Sequence, residues 1–310
     1  MRWSSYRTAS SVPRLAVATD DGRLHASRTH TGLVDLLREG GDLASAAEEV
    51  LADPLEVIAL DDVVLTAPIP EPPSIRDFMA FEDHLKPILA ARGASIDPAW
   101  YEIPVFYFTN PAATQGPRDE VRAAPGAVEL DYELEVAAVV GRPLGDADPA
   151  TAQDAIAGYV LMNDWSARDL QRRERGAGLG PVKGKDWATS FGPFFVTADE
   201  FPLDGETGRP AVTLRASVNG RPYSEGNLRD LYWTFGEMIA YASRGTRLRP
   251  GDIIGSGTVG TGCIADLSAR HGLDRYPWLR PGDRVRLEAG RLGAIDTVLA
   301  PAAEIVPLRG

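Results

Sequence analysis

The sequence predicts an α+β protein that is rich in β-structure and begins with a small α+β unit. Short apolar runs bounded by glycine and proline recur along most of the 310 residues, a pattern typical of strands. Helical patterns are few, and the clearest one ends at residue 53. The proline-rich segment APIPEPPS at 67–74 forces extended backbone between the two parts. We therefore predict a small N-terminal domain over residues 1–70 and a larger domain over residues 71–310.

The N-terminal unit contains a predicted hairpin, a helical stretch and one further strand. In residues 14–28, the Asp21-Gly22 pair predicts a tight turn between two strands. Residues 33–53, LVDLLREGGDLASAAEEVLAD, carry apolar side chains at helical spacing. The segment VVLTAP at 63–68 has the composition of a strand.

The larger part consists mainly of predicted strands that are separated by glycine and proline. We therefore predict that the larger part is β-rich with a few helices. The strand-like runs lie at 104–109, 128–140, 157–163, 193–197, 211–219, 252–255 and 283–289.

Composition limits the classes of function. With 44% hydrophobic residues the chain can bury a large core, and a formal net charge of −12 argues against a nucleic-acid partner. The single cysteine, Cys263, excludes an internal disulfide and a multi-thiolate metal site. The sequence contains no apolar run of about 18 residues, so we expect neither a signal peptide nor a membrane partner. We expect a soluble, cytoplasmic protein.

One predicted strand carries a row of acidic side chains. In VELDYELEVAAVVGR, residues 128–142, Glu129, Asp131, Glu133 and Glu135 alternate with apolar residues. Side chains alternate across a strand, so the four carboxylates are expected on one face. A solvated outer face is the simpler interpretation. The alternative is a hard divalent ion, because the run VAAVVG is apolar on both faces and places the nearest acids at the mouth of the core.

The segment GYVLMNDWSARDLQRRER at 158–175 turns from an apolar strand to a polar helix. Asp164 is expected at the carboxyl end of the strand, and Ser166 with Asp169 forms a pattern typical of a capping box. Four side chains share one helix face: Arg168, Gln171, Arg172 and Arg175. This face is either solvated or, beside a metal site, able to hold a substrate carboxylate.

Three further stretches carry residues that could complete a site. SIRDFMAFEDHLKPIL at 74–89 places Asp77 seven residues before His84, either on one helix or across a loop-to-helix transition. KGKDWATSFGPFF at 183–195 places Lys185 and Thr189 in a loop before a buried strand. The glycine-rich turn within 251–268 lacks the context of a dinucleotide fold or a P-loop, although close approach of backbone to a ligand remains open. Each of these side chains could also be ordinary surface.

Together these stretches resemble the fumarylacetoacetate hydrolase family. The resemblance rests on five motifs in the order of the family, over roughly residues 70–305: RDFMAFEDH, ELE at 133–135, NDWSARDLQ, KGKDWATSFGP and GSGT at 255–258. It implies a mixed β-roll or sandwich with a small N-terminal domain, a homodimer, and a bound Mg²⁺, with Mn²⁺ or Ca²⁺ as alternatives.

The resemblance also implies roles for individual residues. Asp77, Glu133, Glu135 and Asp164 match metal ligands, His84 matches a water-activating histidine, and Asp266 stands where a glutamate orients it. Lys185, Arg168, Gln171 and Thr258 match substrate-contacting positions, and Thr189 matches a position near the metal. Met79 and Arg175 stand where fumarylacetoacetase has tyrosines at its substrate, so contacts to the dicarboxylate substrate of that enzyme are not fully reproduced.

We therefore expect a hydrolase that cleaves a carbon–carbon bond of a 1,3-diketo acid. In this hypothesis His84 activates water, and Lys185 with the metal stabilises the departing enolate. Decarboxylation, isomerisation and dehydration of keto acids use the same chemistry within the family, and fold cannot choose among them. A metal- or ligand-binding module without catalysis is the alternative from another class.

Overall fold

The structure, a computed structural model, describes residues 1–8 and 13–309. The strands of the first 80 residues are β1 Arg2–Arg7, β2 Pro13–Ala18, β3 Arg23–Ala26, β4 Val57–Ala59, β5 Val64–Leu65 and β6 Ile75–Phe78. Those up to residue 200 are β7 Phe106–Thr109, β8 Thr114–Gln115, β9 Val121–Arg122, β10 Leu130–Asp131, β11 Leu134–Val140, β12 Ile156–Asp164, β13 Ser166–Ala167 and β14 Thr189–Thr197. The remaining strands are β15 Thr213–Val218, β16 Arg221–Asn227, β17 Ile253–Gly255, β18 Arg284–Glu288 and β19 Ala294–Ala300.

The helices are shorter and lie between these strands. They are α1 Leu33–Glu39, α2 Leu43–Ala52, α3 Glu82–Ala90, α4 Pro149–Gln153, α5 Arg168–Gly176, α6 Phe235–Ser243 and α7 Ile264–His271. Among the described residues, every helix is too short or too polar to cross a bilayer.

One large sheet forms the centre of the molecule, in the order β4-β3-β2-β1-β14-β12-β11-β17-β6-β7. A second sheet has the order β16-β15-β18-β19-β9, and β10 and β13 form a separate two-stranded sheet. Because β1 pairs with β14, the N-terminal strands continue the same sheet that contains the buried strands β11 and β12.

Both faces of the large sheet are covered, which explains the continuous apolar run of β11. On one face Ala137 and Val139 pack in a cluster with Leu36 and Val50 of helices α1 and α2. On the other face Val136, Ala138 and Val140 belong to a larger cluster, which also contains apolar side chains of β15, β18, β19 and α6. The molecule is therefore layered, as predicted for a sheet-rich α+β protein.

Three sequence predictions about local structure are wrong. The helical stretch 33–53 is two helices, because α1 ends at Gly40 in the left-handed conformation with φ 71°. The strand over 128–140 is interrupted at residues 132 and 133, between β10 and β11. The capping box at Ser166 is absent from α5: Ser166 lies in β13, and the Asp169 carboxylate accepts a hydrogen bond from Val128 N.

Candidate active site

Four buried carboxylates converge at the edge of the core. Asp77 lies on β6, Glu133 directly before β11, Glu135 on β11 and Asp164 at the end of β12. One carboxylate oxygen from each lies within 4.8 Å of those of the other three. Glu135 and Asp164 are fully buried, while Asp77 and Glu133 are at most 5% exposed.

The pairing of strands explains this convergence. Glu135 pairs with Met162 across β11 and β12, and Asp77 pairs with Gly255 across β6 and β17. Since alternate residues share a face, Asp164 lies on the face of Met162, and Asp77 lies on that of Ile75. Met162 and Ile75 belong to the same apolar cluster, so all three strands direct their acids to one side of the sheet.

A glycine leaves room for Asp77 in this arrangement. A Cβ atom at Gly255 would lie 2.3 Å from Asp77 Oδ1 and 2.6 Å from the Met162 terminal methyl carbon. The backbone N–H of Gly257 donates a hydrogen bond of 3.3 Å to the same Asp77 oxygen. The glycine-rich turn therefore approaches a predicted metal ligand.

The donor set fits a hard divalent cation. Glu135 Oε2 and Asp164 Oδ1 are buried without a hydrogen-bond partner in the described part of the chain, and so is Thr189 Oγ1. Thr189 pairs with Asp164 across β14 and β12. Buried oxygens without donors are unfavourable, and a cation that prefers oxygen ligands satisfies them.

Charge in the cluster is only partly balanced. Burial, followed by the charge of a neighbouring carboxylate, raises the pKa of Asp77 and of Glu135 well above the ordinary value. Burial also raises the pKa of Asp164, against the opposing charge of Lys185. Glu133 behaves differently: burial opposes ionisation, but Lys185 and Arg168 hold its pKa below the ordinary value.

Two cations line the Glu133 side of the cluster. The Lys185 ammonium is buried and contacts the carboxylates of Glu133 and Asp164. Burial lowers the pKa of Lys185, but the charges of Asp164 and Glu133 outweigh this and raise it. Arg168 Nη2 donates to Glu133 Oε1 at 2.7 Å, and its Nε donates to Asp131 Oδ2 at 2.8 Å.

His84 lies on helix α3, and its side chain is next to that of Glu133. A ring nitrogen of His84 is within 4.8 Å of both a Glu133 oxygen and Cys263 Sγ. Its Nδ1 is 3.9 Å from Asp266 Oδ2, beyond hydrogen-bond distance. Asp266 instead accepts hydrogen bonds from Arg270 Nε at 2.5 Å and from Thr261 N at 2.6 Å. His84 and Asp266 therefore lie close to each other but are not hydrogen-bonded to each other.

The predicted substrate-contacting residues separate into two groups. Gln171 Oε1 accepts from Arg168 Nη1 at 3.2 Å, and Thr258 Oγ1 donates to Glu135 Oε1 at 3.3 Å, so both lie at the cluster. Met79 is 43% exposed next to β6. Arg175 is exposed in the last turn of α5 and makes none of the ion pairs found among the described residues.

The interrupted strand divides the acidic row. Glu133 and Glu135 join the cluster, whereas Glu129 forms an ion pair with Arg172 at 2.5 Å. Asp131 is fully buried and accepts from the backbone N–H groups of Ile264 and Ala265 at 2.7 and 3.0 Å. Asp131 thereby links Arg168 to the start of α7.

Sequence reasoning missed several residues of the site. Tyr107, which pairs with Asp77 across β7 and β6, donates its hydroxyl to Asp164 Oδ2. Cys263 lies next to His84. Gly255 belongs to the predicted GSGT motif, but its contact with Asp77 was not predicted. In the sequence, alternation in PVFYFT was the available signal for Tyr107, and it does not distinguish that residue from its aromatic neighbours.

The family model for the C-terminal part of fumarylacetoacetate hydrolase matches residues 74–300 of this chain. A protein of Burkholderia multivorans, named provisionally as a hydrolase, is 36% identical over 192 residues, which are 61% of this chain and 63% of that protein. The chain therefore matches somewhat less than two thirds of the length of this curated relative.

Three solved structures have the same fold. A fumarylacetoacetate hydrolase from Exiguobacterium antarcticum is 24% identical with a TM-score of 0.76, covering 97% of this chain and 99% of that one. A 5-carboxymethyl-2-hydroxymuconate delta-isomerase from Mycobacterium smegmatis is 24% identical with a TM-score of 0.70, covering 97% and 100%. A maleylpyruvate hydrolase from Sphingobium sp. SYK-6, solved with manganese and pyruvate, is 23% identical with a TM-score of 0.71, covering 98% and 100%.

Proposed function

Because the chain belongs to the fumarylacetoacetate hydrolase family, we propose that it is a divalent-metal-dependent hydrolase. Its substrate is a 1,3-diketo acid resembling an acylpyruvate, and the bond that breaks is a carbon–carbon bond. The observation that carries the proposal is the convergence of four buried carboxylates with Lys185 and His84. The manganese and pyruvate bound to the maleylpyruvate hydrolase of similar fold support it.

Asp77, Glu133, Glu135 and Asp164 are the residues that would hold the ion, with Mg²⁺ expected and Mn²⁺ or Ca²⁺ as alternatives. When bound, such an ion supplies Lewis acidity, which polarises a chelated carbonyl and stabilises enolate charge. Arg168 donates hydrogen bonds to one Glu133 oxygen and to Asp131. It would therefore orient Glu133 as a metal ligand while its guanidinium faces the site.

His84 is the proposed general base. A ring nitrogen takes a proton from water, and the water oxygen forms a bond to the carbonyl carbon remote from the carboxylate. The carbon–carbon bond then breaks, and its electron pair passes to the α-keto acid fragment as an enolate. The nearby Lys185 ammonium stabilises that charge, and the enolate is finally protonated to the keto acid. Closing the 3.9 Å gap to Asp266 would orient the imidazole during this step.

The remaining polar residues supply recognition in this proposal. Gln171 and Thr258 lie at the cluster and contact the polar groups of the substrate, as Arg168 does. Met79 and Arg175 are exposed and contact the variable acyl end. We further propose that the protein acts as a homodimer, with a small keto acid as its substrate.

The test is a substrate screen with added Mg²⁺. The candidate substrates are acylpyruvates, fumarylpyruvate and oxaloacetate. Their consumption is followed by the loss of enol absorbance, and the product masses are measured by mass spectrometry. Hydrolysis is expected to give two products whose summed mass exceeds the substrate by one water. Unchanged mass indicates an isomerase, and loss of carbon dioxide indicates a decarboxylase; either result contradicts the proposal.

Isomerisation or decarboxylation at the same centre is the second candidate. This candidate is favoured because His84 and Asp266 are 3.9 Å apart and not hydrogen-bonded. The Asp266 oxygens already accept hydrogen bonds from Arg270 and Thr261. Decarboxylation activates no water and therefore needs no hydrogen-bonded base pair at this position. If the reaction is decarboxylation, His84→Ala would leave most turnover intact.

A further inference from the structure

Next to the oxygen cluster lies a second group of donors of mixed chemistry. Cys263 contributes sulfur, His84 contributes nitrogen and Glu133 contributes oxygen, and these three atoms lie within 4.8 Å of one another. All three side chains are buried, with Cys263 fully so. Cys263 Sγ lies 3.9 Å from His84 Nδ1.

This donor set differs from the carboxylate cluster in the ions that it prefers. A thiolate, an imidazole and a carboxylate suit zinc and other thiophilic divalent ions, which take four ligands and often leave one position to water. Magnesium and calcium prefer oxygen ligands throughout. The two groups share Glu133, so an ion in one competes with an ion in the other for that carboxylate.

The surrounding structure already holds the three donors near one another. His84 lies on α3, Cys263 immediately precedes α7, and the two helices pack together. Glu133 lies in the interruption between β10 and β11. Cys263 Sγ accepts one hydrogen bond, from Asp266 N at 3.3 Å. Binding therefore asks for side-chain adjustment within a formed backbone.

We propose that Cys263, His84 and Glu133 form a second metal site, selective for thiophilic divalent ions such as Zn²⁺ and Cd²⁺. Binding itself is independent of the proposed function. Its consequence rests on that function: an ion held by His84 blocks the general base, so these metals inhibit an enzyme that Mg²⁺ activates.

The direct test is titration of the metal-free protein with Cd²⁺. Cadmium bound to a thiolate gives an ultraviolet charge-transfer band, and any such band reports Cys263, since the sequence has one cysteine. One equivalent of Cd²⁺ is expected to develop the band in the wild type. Cys263→Ser should abolish it, and His84→Ala or Glu133→Gln should weaken Cd²⁺ affinity by at least ~10-fold.

Glu135→Gln is the matched control, because it removes a ligand of the oxygen cluster alone and should leave the band intact. Circular dichroism and thermal melting establish that each variant is folded. Absence of a band in folded wild-type protein overturns the proposal. A band that is equally strong without His84 and Glu133 also overturns it, because the thiol would then bind cadmium by itself.

A second measurement separates this site from the proposed function. With saturating Mg²⁺ and a turned-over keto acid, added Zn²⁺ should inhibit the wild type, and Cys263→Ser should raise the inhibition constant at least ~10-fold. An equal inhibition constant in that variant contradicts the inhibitory consequence. If no keto acid is turned over, the cadmium band still decides whether the second site exists.

Discussion

The carboxylate cluster and the histidine side of the site differ in what holds their residues in place. Asp77, Glu135 and Asp164 lie on strands whose register is fixed by backbone hydrogen bonds within one sheet. His84 and Asp266 lie on two packed helices, with 3.9 Å between His84 Nδ1 and Asp266 Oδ2. A hydrogen-bonded sheet sets positions residue by residue, whereas helix packing leaves room for side-chain movement.

The unsatisfied groups lie on the sheet side of this division. Among the described residues, Glu135 and Asp164 each have a buried oxygen without a hydrogen-bond partner, while both oxygens of Asp266 are hydrogen-bonded. The carboxylate cluster on the sheet is therefore suited to bind a cation that neutralises its charge. The helical half is internally satisfied, and we expect it to act on a substrate by a small rearrangement. Removing one residue at a time from each half tests this distinction.

Glu135→Gln is expected to have the largest effect. Loss of this ligand should weaken Mg²⁺ or Mn²⁺ binding by ~100-fold or more and abolish turnover. In metal-free protein the same change should raise the melting temperature at neutral pH, because burial and Asp77 disfavour the ionised carboxylate. Calorimetric titration and thermal melting measure the two effects. Glu129→Gln, from the same acidic row but paired with Arg172, is the control and should change metal binding little.

His84→Ala tests the helical half. Loss of a general base should lower kcat by ~10²–10⁴-fold, while Mg²⁺ or Mn²⁺ affinity of the carboxylate cluster stays within a few-fold of the wild type. Steady-state kinetics together with metal titration separate the two readouts. Unchanged turnover would remove His84 from the mechanism and favour decarboxylation.

Gly255→Ala tests whether sheet packing positions Asp77. The added Cβ would lie 2.3 Å from Asp77 Oδ1, so the carboxylate must move, and we expect metal affinity to fall ~10–100-fold. Gly41→Ala, where a Cβ meets nothing within 4 Å, is the matched control. Equal affinity in the two variants would show that the cluster tolerates displacement of Asp77.

The smallest expected effect concerns pH. Burial raises the pKa values of Asp77, Glu135 and Asp164 in the folded, metal-free protein. The free energy of unfolding should therefore fall as pH rises above the ordinary carboxyl pKa of about 4, because these groups then ionise more readily in the unfolded chain than in the folded one. The lowered pKa of Glu133 acts in the opposite direction. The difference in melting temperature between Glu135→Gln and wild type isolates the Glu135 contribution. This difference should grow with pH in metal-free protein; a constant difference would contradict it.

The fold and half of the cluster follow from local patterns. Alternation in VELDYELEV predicts that Glu133 and Glu135 share a side, and the apolar run after them predicts burial on both faces. Local pattern could not show that the row breaks, because Asp131 is held by backbone donors of Ile264 and Ala265, far along the chain. The same holds for Asp169, which accepts from Val128 N and leaves the helix without the predicted cap.

Long-range pairing accounts for the residues that the sequence did not indicate. Tyr107 reaches Asp164 because β7 lies beside β6, and Gly255 approaches Asp77 because β17 pairs with β6 in parallel. Neither pairing leaves a local signal. The resemblance to a family supplied Asp77 and Asp164 as ligands, and the roles assigned to His84 and Asp266 remain predictions for the experiments above.

The pairing of β1 with β14 has a consequence for how the protein can be divided. Arg2 and Trp3 of β1 pair with Val196 and Phe195 of β14. Strand β1 therefore covers the edge of β14, whose other side pairs with β12, the strand that carries Asp164. A truncated chain that starts at residue 74, where the family match begins, would expose that border as bare backbone and invite self-association. A chain cut at the proline-rich segment should therefore be insoluble.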